Sequence, residues 1–136
     1  MTKEISREEL LGGLTLLGQN VRQPIRKLET FPNQHPGRPY VVTLTCDEFT
    51  CLCAATGQPD FATLTIRYIP DQRIVESKSL KLYLWSFRDR GAFCEQLAAD
   101  IATEVQRAAE PRHVRVTVTQ HTRGGIVTEA TAELAT

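Results

Sequence analysis

Hydrophobic and polar residues alternate along the middle of the chain, and this period is typical of a half-buried strand. Two such runs follow each other, one starting near Tyr40 and one over Phe61–Ile69. The apolar face of the first run is formed by Tyr40, Val42, Leu44 and Cys46, and that of the second by Ala62, Leu64, Ile66 and Tyr68. The segment Asp47–Pro59 between them is rich in turn residues, so we expect a loop there.

After the second strand, the period changes to that of a helix. Apolar residues spaced by three and four positions predict one helix over Ser79–Arg90 and a second from Phe93 to about Glu110. Alternation then returns and predicts a third strand, whose apolar face is formed by Val114, Val116 and Val118. A turn at residues 123–125, Arg-Gly-Gly, precedes a fourth strand that starts at Ile126.

The order strand–strand–helix–helix–strand–strand predicts an α+β domain over residues 38–136, with both helices on one face of an antiparallel four-stranded sheet. The other face is polar, which suits the interior of an assembly; it carries Thr63, Thr65, Arg67, Arg115, Thr117 and Thr119. Residues 1–37 are interrupted by Pro24, Pro32 and Pro36, so we expect an N-terminal arm. One short helix or strand is predicted among the leucines at positions 10–17.

Composition narrows the classes of function. The 136 residues are enough for one domain, and 16 basic and 16 acidic residues leave no net charge. Proteins that bind nucleic acid through its phosphates usually carry a basic excess, so we expect no direct contact with nucleic acid. No apolar run approaches the roughly 20 residues of a membrane span, and the first ten residues are too charged for a secretory signal. We therefore expect a cytoplasmic protein with reduced thiols and no membrane contact.

Three of the four cysteines crowd into one stretch, and Cys53 among them precedes Asp60 by seven positions. A nucleophilic thiol needs exposure and a partner that moves protons. A carboxylate raises the pKa of a neighbouring thiol unless it is itself protonated, so Asp60 suits an acid better than a base. Spacing alone leaves open an ordinary loop cysteine followed by an aspartate at a strand start. A zinc site is disfavoured because the chain has no C-x₂-C pair, and we expect no metal.

Two further stretches carry charged groups at predicted helix starts. The segment ESKSLK over Glu76–Lys81 gathers serines and lysines, which together with backbone N–H groups could hold a phosphate. The alternative is an N-cap serine followed by a solvated charged face. Glu95 lies in the first turn of the second helix, where it could bind the N–H groups of a ligand or merely stabilise the helix.

The motifs FTCLCAATGQPDFA, ESKSLKLYLWSFR, GAF-x-E and TRGGI occur in this order over about residues 29–127. In this combination the chain resembles the short, unimodular form of the 7-cyano-7-deazaguanine reductase family, the nitrile reductases of queuosine biosynthesis. The resemblance implies the tunnelling fold shared with GTP cyclohydrolase I. It also implies a homo-oligomeric ring, such as two stacked pentamers, with active sites between neighbouring chains.

The resemblance further implies the chemistry. Cys53 matches the nucleophile that attacks the nitrile carbon of 7-cyano-7-deazaguanine and forms a covalent thioimide. Asp60 matches the acid that protonates the nitrile nitrogen. Two NADPH molecules then supply the hydrides that give 7-aminomethyl-7-deazaguanine. Because the substrate is a free base, such an enzyme acts without touching tRNA.

Binding roles are also carried over from the family. Glu95 matches the glutamate that anchors the deazaguanine, with Glu76 and Ser77 as further candidates for substrate binding. The residues assigned by resemblance to NADPH are Ser77, Lys78, Ser79, Lys81, Arg123 and Gly124.

The chain departs from the family pattern at three positions. Cys94 stands where the family normally has histidine, and a thiol is a poor proton relay near pH 7. Cys51 and Ala54 replace a more usual serine and proline. Two alternatives therefore stay open: a relative that turns the thioimide into an amidine, or a deazapurine-binding protein with impaired turnover. A Cys53–Cys94 disulfide formed on oxidation is a further hypothesis.

Overall fold

The centre of the fold is a four-stranded antiparallel sheet that carries the two longer helices on one face. The computed structural model describes residues 4–17 and 23–135. In chain order its elements are α1 (Arg7–Leu11), β1 (Thr30–Pro32), β2 (Val42–Leu52), β3 (Pro59–Ile69), β4 (Arg73–Val75), α2 (Ser77–Trp85), α3 (Cys94–Ala109), β5 (His113–Arg123) and β6 (Ile126–Ala135). The strand order of the main sheet is β2-β3-β5-β6, so the α+β prediction is confirmed.

The core lies between the sheet and the two helices. The register places Leu64 opposite Val118 and Ile66 opposite Val116, with all four side chains buried. The stripe of α3 that packs on them includes Ile101 and Val105, both with no exposed surface. Burial of each such side chain contributes roughly 1.5–3 kcal/mol, so these contacts hold α3 on the sheet. The predicted end of α3 is confirmed, because Glu110 is left-handed and a proline follows it.

The first strand is longer than predicted, and the expectation of a loop over Asp47–Pro59 is wrong for its first half. β2 continues to Leu52 through a β-bulge between Cys46 and Phe49. The bulge adds one residue, which interrupts the alternation in the sequence and returns Phe49 to the core face. Only residues 53–58 form the connection to β3.

The first long helix begins and ends earlier than the predicted Ser79–Arg90. Glu76 caps α2, and the helix ends at Trp85. Phe87 nevertheless stays in the core, where its ring meets Tyr83 edge-on at 5.2 Å. The helical spacing of Phe87 therefore predicted its burial in the core correctly, although the residue lies beyond the end of the helix.

The predicted N-terminal arm contributes β1, which pairs with β4 in a second, two-stranded sheet. Within the predicted leucine segment, only Leu10 and Leu11 belong to α1, which is capped by Ser6. Residues 1–3 and 18–22 of this arm, and residue 136, lie outside the described part of the chain. The division at residue 37 stays a prediction.

The polar face of the sheet carries hydrogen bonds between β5 and β6. Thr117 Oγ1 lies 3.1 Å from Thr131 Oγ1, and the hydroxyl of Thr119 donates to Glu129 at 3.2 Å. Arg115 and Glu133 form an ion pair on this face, at 3.4 Å. No helix in the part of the chain that the structure describes has the length and apolar character needed to cross a membrane.

Candidate active site

Cys53 is the first residue of the short loop that follows β2. Its N–H donates to the carbonyl of Gln58 at 2.8 Å, and its carbonyl accepts from the N–H of Gly57 at 2.9 Å. The φ of Gly57 is 73°, a conformation that favours glycine. These bonds close the loop into a tight turn and fix the position of the cysteine backbone.

The segment before α3 is attached to the end of β2, which brings the start of α3 to the cysteine loop. The N–H of Leu52 donates to the carbonyl of Arg90 at 2.9 Å, and that of Ala92 donates back to Leu52 at 3.0 Å. A Cβ on Gly91 would lie 3.4 Å from the Cα of Ala54, so the glycine of the GAF motif permits a close backbone approach.

The thiol of Cys53 is activated by its surroundings. Its pKa is lowered to about 7 by hydrogen bonds, first from the hydroxyl of Thr56, then from the backbone N–H groups of Thr56 and Ala55, and then from the guanidinium of Arg123. Backbone N–H groups that converge on one point form a site for an anion. The loop is therefore built to stabilise a thiolate, as a nucleophile requires.

Asp60, on β3, is connected to this thiol through Arg123. It pairs directly with Cys51 across the β2–β3 ladder, and its side chain is only 6% exposed. Its Oδ1 lies 2.6 Å from Nη1 of Arg123, which β5 presents from the adjacent strand. The structure thus brings together Cys53, Asp60 and Arg123, of which the first two were predicted as a catalytic pair.

The hairpin that carries Arg123 depends on two glycines. Gly124 and Gly125 have φ values of 58° and 79° and form the two-residue loop between β5 and β6. Such a hairpin needs positive φ at both loop positions, which other residues adopt at a cost. Gly124 was assigned to the cofactor by resemblance, and here it holds the turn.

The other two thiols of this region are buried and retain their protons. Burial raises the pKa of Cys51 to about 11, with further contributions from Asp60, Cys94 and Cys53. Burial, followed by the charge of Glu95, also raises the pKa of Cys94, whose thiol donates to the carbonyl of Val118 at 3.2 Å. Cys94 therefore faces the sheet, and all four cysteines are free. The Cys53–Cys94 disulfide stays a prediction.

We expect Cys53 to be the first cysteine modified by iodoacetamide at pH 7. About half of its thiol is ionised there, whereas a pKa of about 11 leaves Cys51 almost fully protonated. The alkylation rate at Cys53 should rise through pH 7 and level off above pH 8, because the thiolate is the reacting form. Peptide mass mapping over a pH series measures each site, and equal rates at Cys51 and Cys53 would contradict the assignment.

Glu95 lies in the first turn of α3 with its side chain exposed, next to Cys94. This position is at the same end of the sheet as Cys53, since Cys94 bonds to Val118 and Leu52 contacts Gly91. The exposed carboxylate is therefore available to a ligand bound near the cysteine loop.

Glu76 and Ser79 have structural roles in this chain. Glu76 is buried, and its carboxylate accepts from the N–H groups of Lys78 at 2.6 Å and Ser79 at 2.8 Å. The cap of α2 is therefore a glutamate, and the alternative of an N-cap serine is wrong. Ser79 has no exposed surface, and its hydroxyl bonds to the backbone of Glu76 and Glu29. Both side chains are already engaged in these contacts, and the assignments of Glu76 to the substrate and Ser79 to NADPH stay predictions.

We expect Glu76→Ala to lower the free energy of unfolding by about 1–2 kcal/mol, because two helix N–H groups lose a charged acceptor. Urea unfolding followed by circular dichroism measures this loss. Glu110→Ala, just beyond the C-terminal end of α3, is a control at an exposed glutamate. Unchanged stability of Glu76→Ala would contradict the capping role.

Ser77 and Lys81 are exposed and line a groove of about 570 Å³ between α2 and the edge strand β2. The start of α2 lies at the far end of the sheet from Cys53, because the N–H of Val75 donates to the hydroxyl of Tyr68 at 3.0 Å. Tyr68 is eight positions along β3 from Asp60, which is roughly 26 Å in a strand. The predicted site residues therefore form two separate groups in one chain.

Among residues 4–17 and 23–135, no histidine, cysteine or acidic side chains are grouped so as to hold a metal ion. The functional residue that the sequence did not single out is Thr56, whose hydroxyl has the largest effect on the pKa of Cys53. Its position three residues after the cysteine is the only signal that the sequence offers.

Comparison with known proteins agrees with this geometry. A family model described as QueF-like protein matches residues 59–136. The NADPH-dependent 7-cyano-7-deazaguanine reductase of Alkalilimnicola ehrlichii is 55% identical over 111 residues, covering 82% of this chain and 86% of that protein. The enzyme of the same description from Syntrophus aciditrophicus is 55% identical over 125 residues, covering 92% and 89%.

A solved structure also matches the fold. It is the apo form of the archaeosine synthase QueF-Like, with a TM-score of 0.66 and 28% sequence identity, covering 71% of this chain and 94% of that chain. This match confirms the fold class expected from the resemblance. From the family model and the two bacterial relatives together, the chain belongs to the family of NADPH-dependent 7-cyano-7-deazaguanine reductases, the QueF-like proteins.

Proposed function

We propose that this chain reduces the nitrile of 7-cyano-7-deazaguanine to an aminomethyl group with NADPH. The observation that carries the proposal is the activated thiol of Cys53, which Arg123 connects to the buried carboxyl of Asp60. A nitrile carbon is electrophilic, and addition of a thiolate to it requires a proton at the nitrogen. The two side chains supply these two functions.

In the proposed mechanism, the Cys53 thiolate adds to the nitrile carbon and Asp60 donates a proton to the nitrile nitrogen. The resulting thioimide is more easily reduced than the nitrile, so covalent catalysis divides one difficult reduction into easier steps. Bound NADPH supplies the hydrides. Glu95 accepts from the N–H groups of the base, and the exposed ring of Phe93 beside it offers an apolar surface for a planar ligand.

The start of α2 fits the cofactor's phosphates. Ser77 is exposed at the first turn of the helix, Lys81 follows one turn later, and both line the same groove. Backbone N–H groups and ammonium groups at a helix N-terminus bind phosphates well. We therefore assign NADPH binding to Ser77, Lys78 and Lys81.

We also propose that the complete site forms between two chains. The start of α2 lies near Tyr68, which is eight positions along β3 from Asp60, or roughly 26 Å in a strand, so the phosphate-binding residues and the nucleophile are separated within one chain. Strands β2 and β6 are the edges of the main sheet, and edge strands present unpaired N–H and C=O groups. Pairing of such edges in a ring would bring the groove of one chain near the Cys53 of its neighbour.

We expect two inactive variants to restore activity together if sites are shared. Cys53→Ala and the double variant Lys78→Ala/Lys81→Ala should each be inactive as pure proteins. Co-expressed in equal amounts, they should recover about a quarter of the wild-type NADPH oxidation, since random assembly gives that share of complete sites. A mixture of separately assembled variants is the control, and co-expression without recovery would place each site within one chain.

Intact mass measurement tests the function itself. The protein is incubated with 7-cyano-7-deazaguanine and weighed with and without NADPH. The reductase predicts an adduct of the substrate's mass, which disappears with NADPH as the amine is released.

The match to an archaeosine synthase keeps an amidine-forming activity as the second candidate. In that case ammonia or an amine, and not NADPH, discharges the adduct. An adduct that neither discharges would indicate a binding protein with impaired turnover, as Cys94 suggests.

A further inference from the structure

Among the residues that the structure describes, Arg123 is the one cation in contact with both proposed reacting groups. Its guanidinium hydrogen bonds with the thiol of Cys53, and its Nη1 lies 2.6 Å from Oδ1 of Asp60. The resemblance assigned this arginine to the cofactor, but here it belongs to the nucleophile cluster. Any role of Arg123 in this cluster rests on the proposed roles of Cys53 and Asp60.

Four elements bring titratable groups into the nucleophile cluster. Arg123 at the end of β5 bonds to Cys53 and to Asp60 on β3, and the charges of Asp60, Cys53 and Cys94 at the start of α3 act on Cys51 of β2. Cys51 and Cys94 are buried and have raised pKa values, so they stay neutral at pH 7. Within this cluster, the charges that can change during the reaction are therefore those on Cys53 and Asp60, and Arg123 touches both.

We propose that Arg123 is a catalytic residue, the counter-ion of the negative charge that moves from the sulfur of Cys53 to the carboxylate of Asp60 during addition to the nitrile. The step starts from the state that carries the negative charge on the thiolate and the proton on Asp60. The Sγ–C bond forms and one π bond of the nitrile breaks. The electron pair of that bond goes to nitrogen, which takes the proton of Asp60. One negative charge exists before and after the step, and Arg123 pairs with it in both states.

The shape and support of Arg123 suit this role. A guanidinium presents several N–H donors in a planar fork, so it can bond to sulfur and carboxylate together, whereas the ammonium of lysine is a point charge. The hairpin at Gly124 and Gly125 holds the strand end that carries it. Because both charged states are stabilised by a group already in place, little reorganisation is required as the charge moves.

The test separates this role from cofactor binding by leaving NADPH out. Adduct formation with 7-cyano-7-deazaguanine is timed by intact mass for the wild type, Arg123→Gln and Arg123→Lys. We expect Arg123→Gln to slow the adduct by about 10²-fold, with Arg123→Lys in between. The alkylation profile of Cys53 should also move to higher pH in Arg123→Gln, by about one unit, because the thiolate loses a cation.

Arg112→Gln is the matched control. The side chain of Arg112 is 46% exposed against 43% for Arg123, and it faces a carboxylate, that of Asp71, at the other end of β5. We expect its adduct rate and alkylation profile to match the wild type.

A wild-type rate and profile in Arg123→Gln would overturn the proposal. If the KM for NADPH rose in the same variant, Arg123 would instead bind the cofactor. A wild-type protein that forms no adduct would instead contradict the proposed function.

Discussion

Cys53→Ala is expected to abolish the covalent adduct with 7-cyano-7-deazaguanine and to reduce NADPH oxidation by at least about 10³-fold. The loop over residues 53–58 places hydrogen-bond donors around one sulfur atom, and no other cysteine has that environment. Cys51 and Cys94 are buried, and the pKa of each is raised. Neither can replace the lost thiolate at neutral pH.

Cys46→Ala is the control for this experiment, because Cys46, which lies on β2, is partly exposed like Cys53. Cys46 lies before the bulge of β2, in the groove beside α2. The Cys46→Ala variant should therefore still form the full adduct. Thermal unfolding of both variants checks that the loss at Cys53 is chemical. Persistence of the adduct in Cys53→Ala, or its loss in Cys46→Ala, would move the nucleophile to another cysteine.

The sheet and helices could be predicted because their signals are local and periodic. Alternation fixed the core faces of β3 and β5, and helical spacing found both long helices. The bulge in β2 was not predicted, because the inserted residue breaks the alternation and makes this part of the strand look like a loop in the sequence. The start of α2 was missed by two residues, since the capping side chain is a glutamate rather than the expected serine.

The site was only partly predictable, for a different reason. The thiol and the carboxylate lie close in sequence, so their pairing could be inferred. Arg123 joins them only through the register of three strands and a second bulge before the hairpin, which no short-range pattern encodes. The burial of Ser79 likewise depends on Glu29, fifty positions earlier.

Asp60→Asn is expected to slow adduct formation by about 10²–10³-fold at pH 7 while leaving Cys53 fully reactive toward iodoacetamide. Asparagine keeps the shape of the side chain but has no proton to give to the nitrile nitrogen. The thiol should keep its reactivity, because asparagine, like the protonated Asp60, carries no charge and leaves Arg123 to the sulfur. The alkylation profile should therefore stay at the pH of the wild type or below it, whereas Arg123→Gln should move it to higher pH.

Two separate readouts, adduct formation and alkylation of Cys53, make the Asp60 experiment decisive. If Asp60 merely held Arg123 in place, Asp60→Asn would weaken both the adduct and the alkylation of Cys53. If Asp60 is the acid, the two readouts separate, with a slower adduct and an equally or more reactive thiol. Asp71→Asn, which removes the carboxylate facing Arg112 at the far end of β5, should change neither. A wild-type rate of adduct formation in Asp60→Asn would show that the proton comes from elsewhere, and the charge transfer proposed for Arg123 would fall with it.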